Sequence, residues 1–588
     1  MNTKSAHTFH IPVMGLAFTV DSPIKVAQYG ISSVVSIVDD VLIEKMNEFY
    51  SKKYKIPFQS FPLKEFDSRA NRITSYLNNM DAIVTQKFQE FKETLTEKKD
   101  VLNDYLDMLP DFSDIKKNLT ELIESKPGKE TLQNWIQENL KPGEIDVNIM
   151  TKLDKPKTFK NEVLGTEHND AHAALRGFAK SKLSSSIVLS AGMNPRLYSY
   201  FEEFEDFYPN ENNELKKKII LKVSDYRSAT IQGQMFAKKG LWVSEYRIES
   251  GLNCGGHAFA TEGLLLGPIL DAFSTNKEAL IEKTYDTYSK ALEAKGRQVP
   301  EQPLGVDITV QGGVGTSEEH EFLLNNYDVT SVGWGSPFLL VPEATTVDSD
   351  TLDVLAKAKE EDLYLSNISP LGVPFNSVKG VSNDAYKSWK LENDKIGSPC
   401  PKKFLALGVD SEGKAICTAS QKYQNGEIEK LKEENLPQEE YQQKFEKITE
   451  KSCLCIGLAN AGLIDNDIDS KDTKAGVLVC PGPNIAYFDK TISLKNMVQH
   501  IYGNTNVMHA ENRPHMFVKE LGMYVKYFNE KLADFIKAPD RKQQKYLTKF
   551  RKNLLEGIEY YATLFNETNK SIIENMSLLK SEIKPLDI

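Results

Sequence analysis

Eight short runs rich in β-branched residues, recurring in order along the first 342 positions, constrain this chain more than any other feature. They are Ile11–Gly15, Ser33–Val38, Asp146–Leu153, Ser186–Ser190, Lys218–Val223 and Leu241–Ile248, then two in the segment Asp307–Pro342. That segment reads D-I-T-V-Q-G-G-V-G-T, a helical stretch, and V-T-S-V-G-W-G-S-P-F-L-L-V-P. Helical patterns such as Ala171–Lys180 and Ser228–Lys239 separate them. Alternating strand and helix units predict a parallel sheet, and eight of them favour closure into a (β/α)8 TIM barrel over a doubly wound open sheet.

Between the second and third runs lies a polar, Lys-, Glu- and Leu-rich stretch, about 60–140, with helical periodicity and a Pro127-Gly128 break. It reads as a helical insertion after strand two, placed either over the barrel mouth or at an interface. The barrel unit is then 1–348. Residues 349–490 are loop-rich and carry five of the six cysteines. Within them Glu427–Lys451 is helical in pattern, with a break at Pro437. Residues 491–588 read as helices, at Ser493–Ile501, Met516–Ile536, Asp540–Phe565 and Thr568–Lys580.

With 72 basic and 83 acidic residues, the net charge of −11 argues against a nucleic-acid binder. No apolar run is long enough to span a bilayer, and the first residues lack a signal core, so the expectation is a cytoplasmic protein without a membrane partner. Six cysteines in 588 residues are no disulfide framework.

Both final strands end in glycine, the second followed by serine. Glycine admits positive φ and lets backbone N–H groups approach a ligand, so two such loops side by side form a donor nest for an anion. The loops after strands seven and eight of a TIM barrel often hold a phosphate. After strand six comes Glu249-Ser-Gly-Leu-Asn-Cys-Gly-Gly-His257. A Gly-Gly pair lets backbone pass close to a flat cofactor, and an imidazole works as acid or base near neutral pH. The alternative is a tight turn whose histidine caps a helix.

Taken together, I-P-V-M-G, K-V-S-D before a helix, G-L-N-C-G-G-H-A-F, V-Q-G-G-V-G-T and G-W-G-S-P-F-L-L-V-P-E resemble the nitronate monooxygenase and flavin-dependent enoyl reductase superfamily. The resemblance covers roughly residues 8–348 without the insertion, and it implies an FMN-binding TIM barrel. It implies that Gly312, Gly313, Gly335 and Ser336 hold the FMN phosphate, that Met14 and Gly15 back the isoalloxazine ring, and that Gly255 and Gly256 pack along the cofactor. His257 becomes the catalytic acid/base. Lys222 either places a positive charge near the flavin's N1–C2 edge or pairs with a carboxylate. The chain departs from the family in its insertion, its long C-terminal extension and the Ala-Phe after His257.

Two further loops face the same rim. His168 and His172 stand at metal-binding spacing on one helix face, against which stands helix capping by Asn169 or Asp170. Arg196 is a candidate grip for an anionic substrate group, or a member of a surface ion pair. Cys400, Cys417, Cys453 and Cys455 are the candidate ligands of an iron–sulfur cluster, with Cys480 spare; zinc, or buried thiols without a ligand, are the alternatives. His500, His509 and His515 receive no role. The expectation is an FMN-dependent oxidoreductase with an organic substrate and a nicotinamide cofactor or electron-carrier protein as donor, as a monomer or oligomer. The competing readings are a flavin-free lyase or isomerase for a phosphorylated metabolite, and a non-enzymatic scaffold.

Overall fold

The eight runs close on themselves. In the computed structural model, which describes residues 5–149, 154–160, 162–190, 192–252, 256, 262–398, 405–406, 408–410, 415–510, 512–565 and 569–586, they form one closed barrel. Its strands are β1 (Phe9–Ile11), β2 (Ser32–Ser36), β3 (Ile145–Asn148), β4 (Ser185–Leu189), β5 (Lys217–Val223), β6 (Val243–Glu249), β7 (Asp307–Gln311) and β8 (Ser331–Gly333). Each pairs in parallel with the next, and β8 returns to β1 with His10 level with Gly333. The open-sheet alternative is thereby excluded.

Most strand edges fall within two residues of the expectation. The first does not: β1 occupies Phe9–Ile11 rather than Ile11–Gly15. Pro12 has no N–H to give a ladder, and Gly15 has φ of 52°, so the apolar V-M-G becomes the loop above the strand. β3 ends at Asn148, and residues 150–153 of the expected strand lie outside the described residues.

Alternate residues point inward and fill the barrel with two kinds of chemistry. Val34, Val188 and Ile220, with Val13, form a small apolar cluster separate from the main core. Beside it lies a polar patch. Arg247 donates to Glu245 at 2.7 Å and to Asp146 at 3.0 Å, and Thr309 donates to Glu245 at 2.5 Å. One guanidinium between two carboxylates offsets the cost of burying them. Burial still pushes the Asp146 carboxyl up, against the pull of Arg247.

Outside the barrel, the stretch between β2 and β3 is helical as expected: α1 (Asp40–Tyr54), α2 (Ser68–Glu97) and three shorter helices, Lys99–Met108, Asp114–Glu124 and Lys129–Asn139. α2 packs between α1 and α3 (Asp170–Ala179), so the insertion thickens the outer helical layer. Asp40 ties it in, accepting from Arg69 at 2.6 Å and from Arg72 at 2.9 Å.

Beyond residue 348 come an antiparallel hairpin, Leu363–Ser366 with Phe375–Val378, and two helices split at Pro437, Gln421–Glu433 and Gln438–Thr449. The helices Leu454–Asp465 and Leu494–Ile501 follow, and the chain ends in three more: α6 (Met516–Lys537), α7 (Arg541–Leu564) and Lys570–Glu582. The labels α4 and α5 denote the helices after β6 and β7, Leu266–Ala294 and Ser317–Tyr327. Among the described residues no helix is long and apolar enough to cross a membrane.

Candidate active site at the barrel mouth

Because all eight strands run parallel, every loop that follows a strand opens at one face. Met14 and Gly15 follow β1, Arg196 follows β4, Gly256 follows β6, Gly312 and Gly313 follow β7, and Gly335 and Ser336 follow β8. Lys222 is the penultimate residue of β5. Topology alone brings these side chains to one end. Cys254, Gly255 and His257 lie outside the described residues.

The β7 and β8 loops are adjacent, since Gly333 is level with Gln311. Gly312 and Gly313 have φ of 102° and 90°, the left-handed region that glycine tolerates. The backbone N–H groups of Gly312, Gly313, Gly335 and Ser336 meet no acceptor among the described residues. Their carbonyls are treated differently. Asn484 Nδ2 donates to Gly313 O at 2.8 Å and to Val314 O at 2.6 Å, and Arg513 Nη2 donates to Gly313 O at 2.6 Å. Side chains from the extension thus hold the loop by its acceptors while its donors stay available, which suits an anion.

Arg513 is itself neutralised. It pairs with Glu319 at 2.6 Å, and Glu319 also accepts from Gly315 N at 2.9 Å and Met516 N at 2.7 Å. A Cβ at Gly315 would stand 2.8 Å from the Arg513 Nε, so any side chain there would displace the guanidinium.

Deeper in the mouth, Lys222 Nζ meets Glu249 Oε1 at 3.0 Å, and Gln311 Nε2 donates to the same oxygen at 2.8 Å. Lys222 thus pairs with a carboxylate. Glu249 closes the strand that precedes the Gly-Gly-His loop. A carboxylate at the C-terminal end of a barrel strand is the signal that sequence reading passed over.

Between the β1 and β6 loops sits a residue assigned no function from sequence. The Cys480 thiol is within hydrogen-bonding reach of backbone at both Gly256 and Gly15; burial raises its pKa and these contacts oppose the rise. Gly256 also packs against the Phe375 ring, and its carbonyl accepts from Asn376 N at 2.8 Å. Met14, next in sequence to Gly15, is fully buried. Where a flat ring is expected, Gly15, Gly256, Phe375 and Cys480 thus come together. The nest meets the requirements of the phosphate end of FMN, and the ring end has glycine backbone from two loops together with a thiol and a phenyl group.

The other candidates are dispersed. Arg196 is exposed on the short helix Pro195–Tyr200 and meets no anion among the described residues. His168 and His172 do not converge as metal ligands. His168 lies 3.7 Å from Asp67 and packs against Phe66, whereas His172 Nδ1 lies 2.9 Å from Asp154. Nor does Asn169 cap α3 with its side chain; Asp154 does so from the preceding loop, accepting from Ala171 N at 2.9 Å.

The described members of the proposed ligand set, Cys417, Cys453 and Cys455, are likewise not assembled. Among the described residues no group of three or more His, Cys, Asp or Glu is placed to hold a metal ion. Cys417 lies in a small cluster with Ala406 and Ala419, Cys453 and Cys455 lie in the main core, and Cys400 is outside the described residues. Two histidines without an expected role acquire structural ones. His500 Nε2 meets Gly315 O at 3.0 Å, and His515 caps α6 through Phe517 N at 3.2 Å.

No protein-family model and no curated protein matches the chain. Among solved structures it is similar to FabK from Thermotoga maritima, at 12% identity and a TM-score of 0.29, covering 68% of this chain and 83% of that one. It is also similar to the enoyl reductase domain of MlnA from the macrolactin biosynthesis cluster of Bacillus amyloliquefaciens. Here the identity is 14% and the TM-score 0.33, with 74% of this chain and 88% of that one covered. Scores this low carry no argument about chemistry, and the barrel rests on its own strand order and register.

Proposed function

We propose that the protein is an FMN-dependent oxidoreductase whose cofactor lies across the barrel mouth. The observation that carries this reading is the pair of adjacent glycine loops whose four N–H donors, on Gly312, Gly313, Gly335 and Ser336, meet no acceptor among the described residues. In this reading the nest holds the phosphate, and Met14, Gly15 and Gly256 flank the ring. When bound, FMN supplies hydride or single-electron transfer between a nicotinamide or protein donor and an organic substrate. The chain contributes orientation and charge. Lys222, held by Glu249, places an ammonium at the floor of the mouth. Gln311 fixes the carboxylate that holds it. His257, next in sequence to Gly256, moves the proton. Phe375 and Cys480 exclude water from the ring's edge.

The test is uptake of FMN by the full-length protein, followed by its absorbance and fluorescence. The wild type should bind FMN. Gly313→Ala should weaken it by about tenfold or more, because the residue sits at φ of 90° and its Cβ would lie 2.9 Å from Leu252 Cδ1. His257→Ala should retain FMN and lose turnover. A wild-type protein that takes up no FMN would overturn the proposal.

One observation favours a second reading. The Lys222–Glu249 pair is the acid/base equipment that a flavin-free lyase or isomerase would use on a phosphorylated metabolite held by the same nest. Such an enzyme would be protected thermally by sugar or triose phosphates and not by FMN.

A further inference from the structure

The segment that carries Gly-Leu-Asn-Cys-Gly-Gly-His leaves β6 at Ser250 and enters α4 at Leu266. Both of its ends meet one carboxylate that comes from neither the barrel nor the loop. Glu520, on α6, is 2% exposed. Its Oε1 accepts from Ser250 Oγ at 3.0 Å and from Gly251 N at 3.2 Å, and its Oε2 accepts from Leu266 N at 2.9 Å. Burial pushes the Glu520 carboxyl up, and the three donors on its two oxygens oppose that rise by favouring the carboxylate form. The position also suits a negative charge, because Leu266 N is the first donor of the 29-residue helix α4, and the N-cap residue Leu265 has no side-chain acceptor to offer.

Glu520 does not act alone. A Cβ on Gly251 would stand 2.6 Å from the Tyr524 hydroxyl, one turn further along α6, so the chain passes against that helix with no room for a side chain. From α7, Asn553 Nδ2 donates to Glu262 O at 2.7 Å, Lys549 pairs with the Glu262 carboxylate, and the Tyr561 hydroxyl accepts from Gly267 N at 3.0 Å. The two helices grip the loop where it leaves the strand and where it becomes helix, with the Gly-Gly-His between.

We propose that Glu520 is a positioning residue. By joining Ser250 and Gly251 to Leu266 it fixes the distance between the two ends of the segment whose sequence includes His257. The catalytic half of this statement rests on the function proposed above, whereas the clamp itself does not. A distal carboxylate that bridges the end of β6 and the start of α4 makes the spacing of those two points a property of the extension. Removing one oxygen's acceptor capacity should free one end only.

The experiment compares wild type, Glu520→Gln and Glu520→Ala in the full-length protein. Hydrogen–deuterium exchange is read over 250–266 and over β4, β5 and β7. Glu520→Gln keeps the shape and turns one acceptor into a donor. Exchange over 250–266 should rise by about tenfold or more while the strands keep their protection. In turnover, kcat should fall with KM and FMN retention little changed, and Glu520→Asp should restore part of the rate. Should Glu520→Ala fail to fold, the Gln and Asp variants carry the test. Unchanged exchange over 250–266 in folded Glu520→Gln overturns the clamp, whatever the cofactor. Raised exchange with unchanged kcat overturns the positioning role. The exchange measurement needs no ligand, so a protein that takes up no FMN defeats the functional proposal and leaves the clamp to be judged separately.

Discussion

Glu319 and Arg513 are 194 residues apart in the chain and 2.6 Å apart in space, and both side chains are almost wholly buried. Removing one member of such a pair costs more than the pair contributes, because the other is left charged in a low-dielectric site. Arg513→Ala should therefore lower unfolding stability by about 3–5 kcal/mol, measured by urea denaturation. The double variant Arg513→Met, Glu319→Gln should recover a large part of that loss. A double variant as unstable as Arg513→Ala would mean that the guanidinium acts mainly through Gly313 O and Asn484. Nothing local in either sequence neighbourhood announces this contact. The glycines of the β7 loop were legible, since their conformational requirement is written in the residue type. The side chains that hold the loop were not, because their partners are fixed by tertiary packing. Lys222 shows the same limit: its place on a strand end was readable, but the choice between a cofactor edge and Glu249 was not. Cys480 was set aside as surplus to a metal site and instead lies where the β1 and β6 loops meet.

At the scale of elements, period and punctuation sufficed for most of the fold. Strands came out near their expected bounds because β-branched runs stopped at turn residues, and the terminal helices because their apolar spacing was long and unbroken. β1 was misplaced where hydrophobicity continued through Pro12, a residue that cannot join a ladder. The insertion was recognisable as helix, but its docking was not, since that depends on charges brought together from separate helices. Asp40 at the start of α1 accepts from Arg69 and Arg72 on α2. Burial would raise its pKa, but the two guanidiniums bring the net shift below the usual carboxylate value. Asp40→Ala removes the carboxylate that two buried guanidiniums share, leaving Arg72 only the more distant Glu44 at 3.9 Å among the ion pairs of the described residues. The expected result is a loss of about 3–5 kcal/mol, with amide exchange rising first over 68–97. Exchange that rose first in the barrel strands would show that α2 is anchored by its apolar face instead.

At the scale of the whole molecule, acid should unfold the protein through its buried neutral histidines. His320 Nδ1 accepts from the Trp334 indole N–H at 3.2 Å, which requires an unprotonated nitrogen, and burial lowers its pKa to about 3. His7 is lowered to about 4, again by burial and against a hydrogen bond to the Tyr29 carbonyl. Both folded values lie below the unfolded value of 6.5, so the unfolded chain binds more protons in acid. Stability is then complete above pH 6.5 and declines as pH falls, down to about 4 for His7 and about 3 for His320. The slope is roughly 1.4 kcal/mol per pH unit for each. Replacing His320 by Gln should reduce the slope of stability against pH between 6.5 and 4 by about 1.4 kcal/mol per pH unit; an unaltered slope would place the acid sensitivity in groups other than His320.

The last barrel strand ends at Gly333, yet the loops at its mouth take contacts from Cys480, Asn484, Arg513 and Glu520. During synthesis, then, the ribosome has extruded every strand well before the residues that complete the mouth emerge. Whatever the mouth is to hold must therefore wait until Glu520 has emerged.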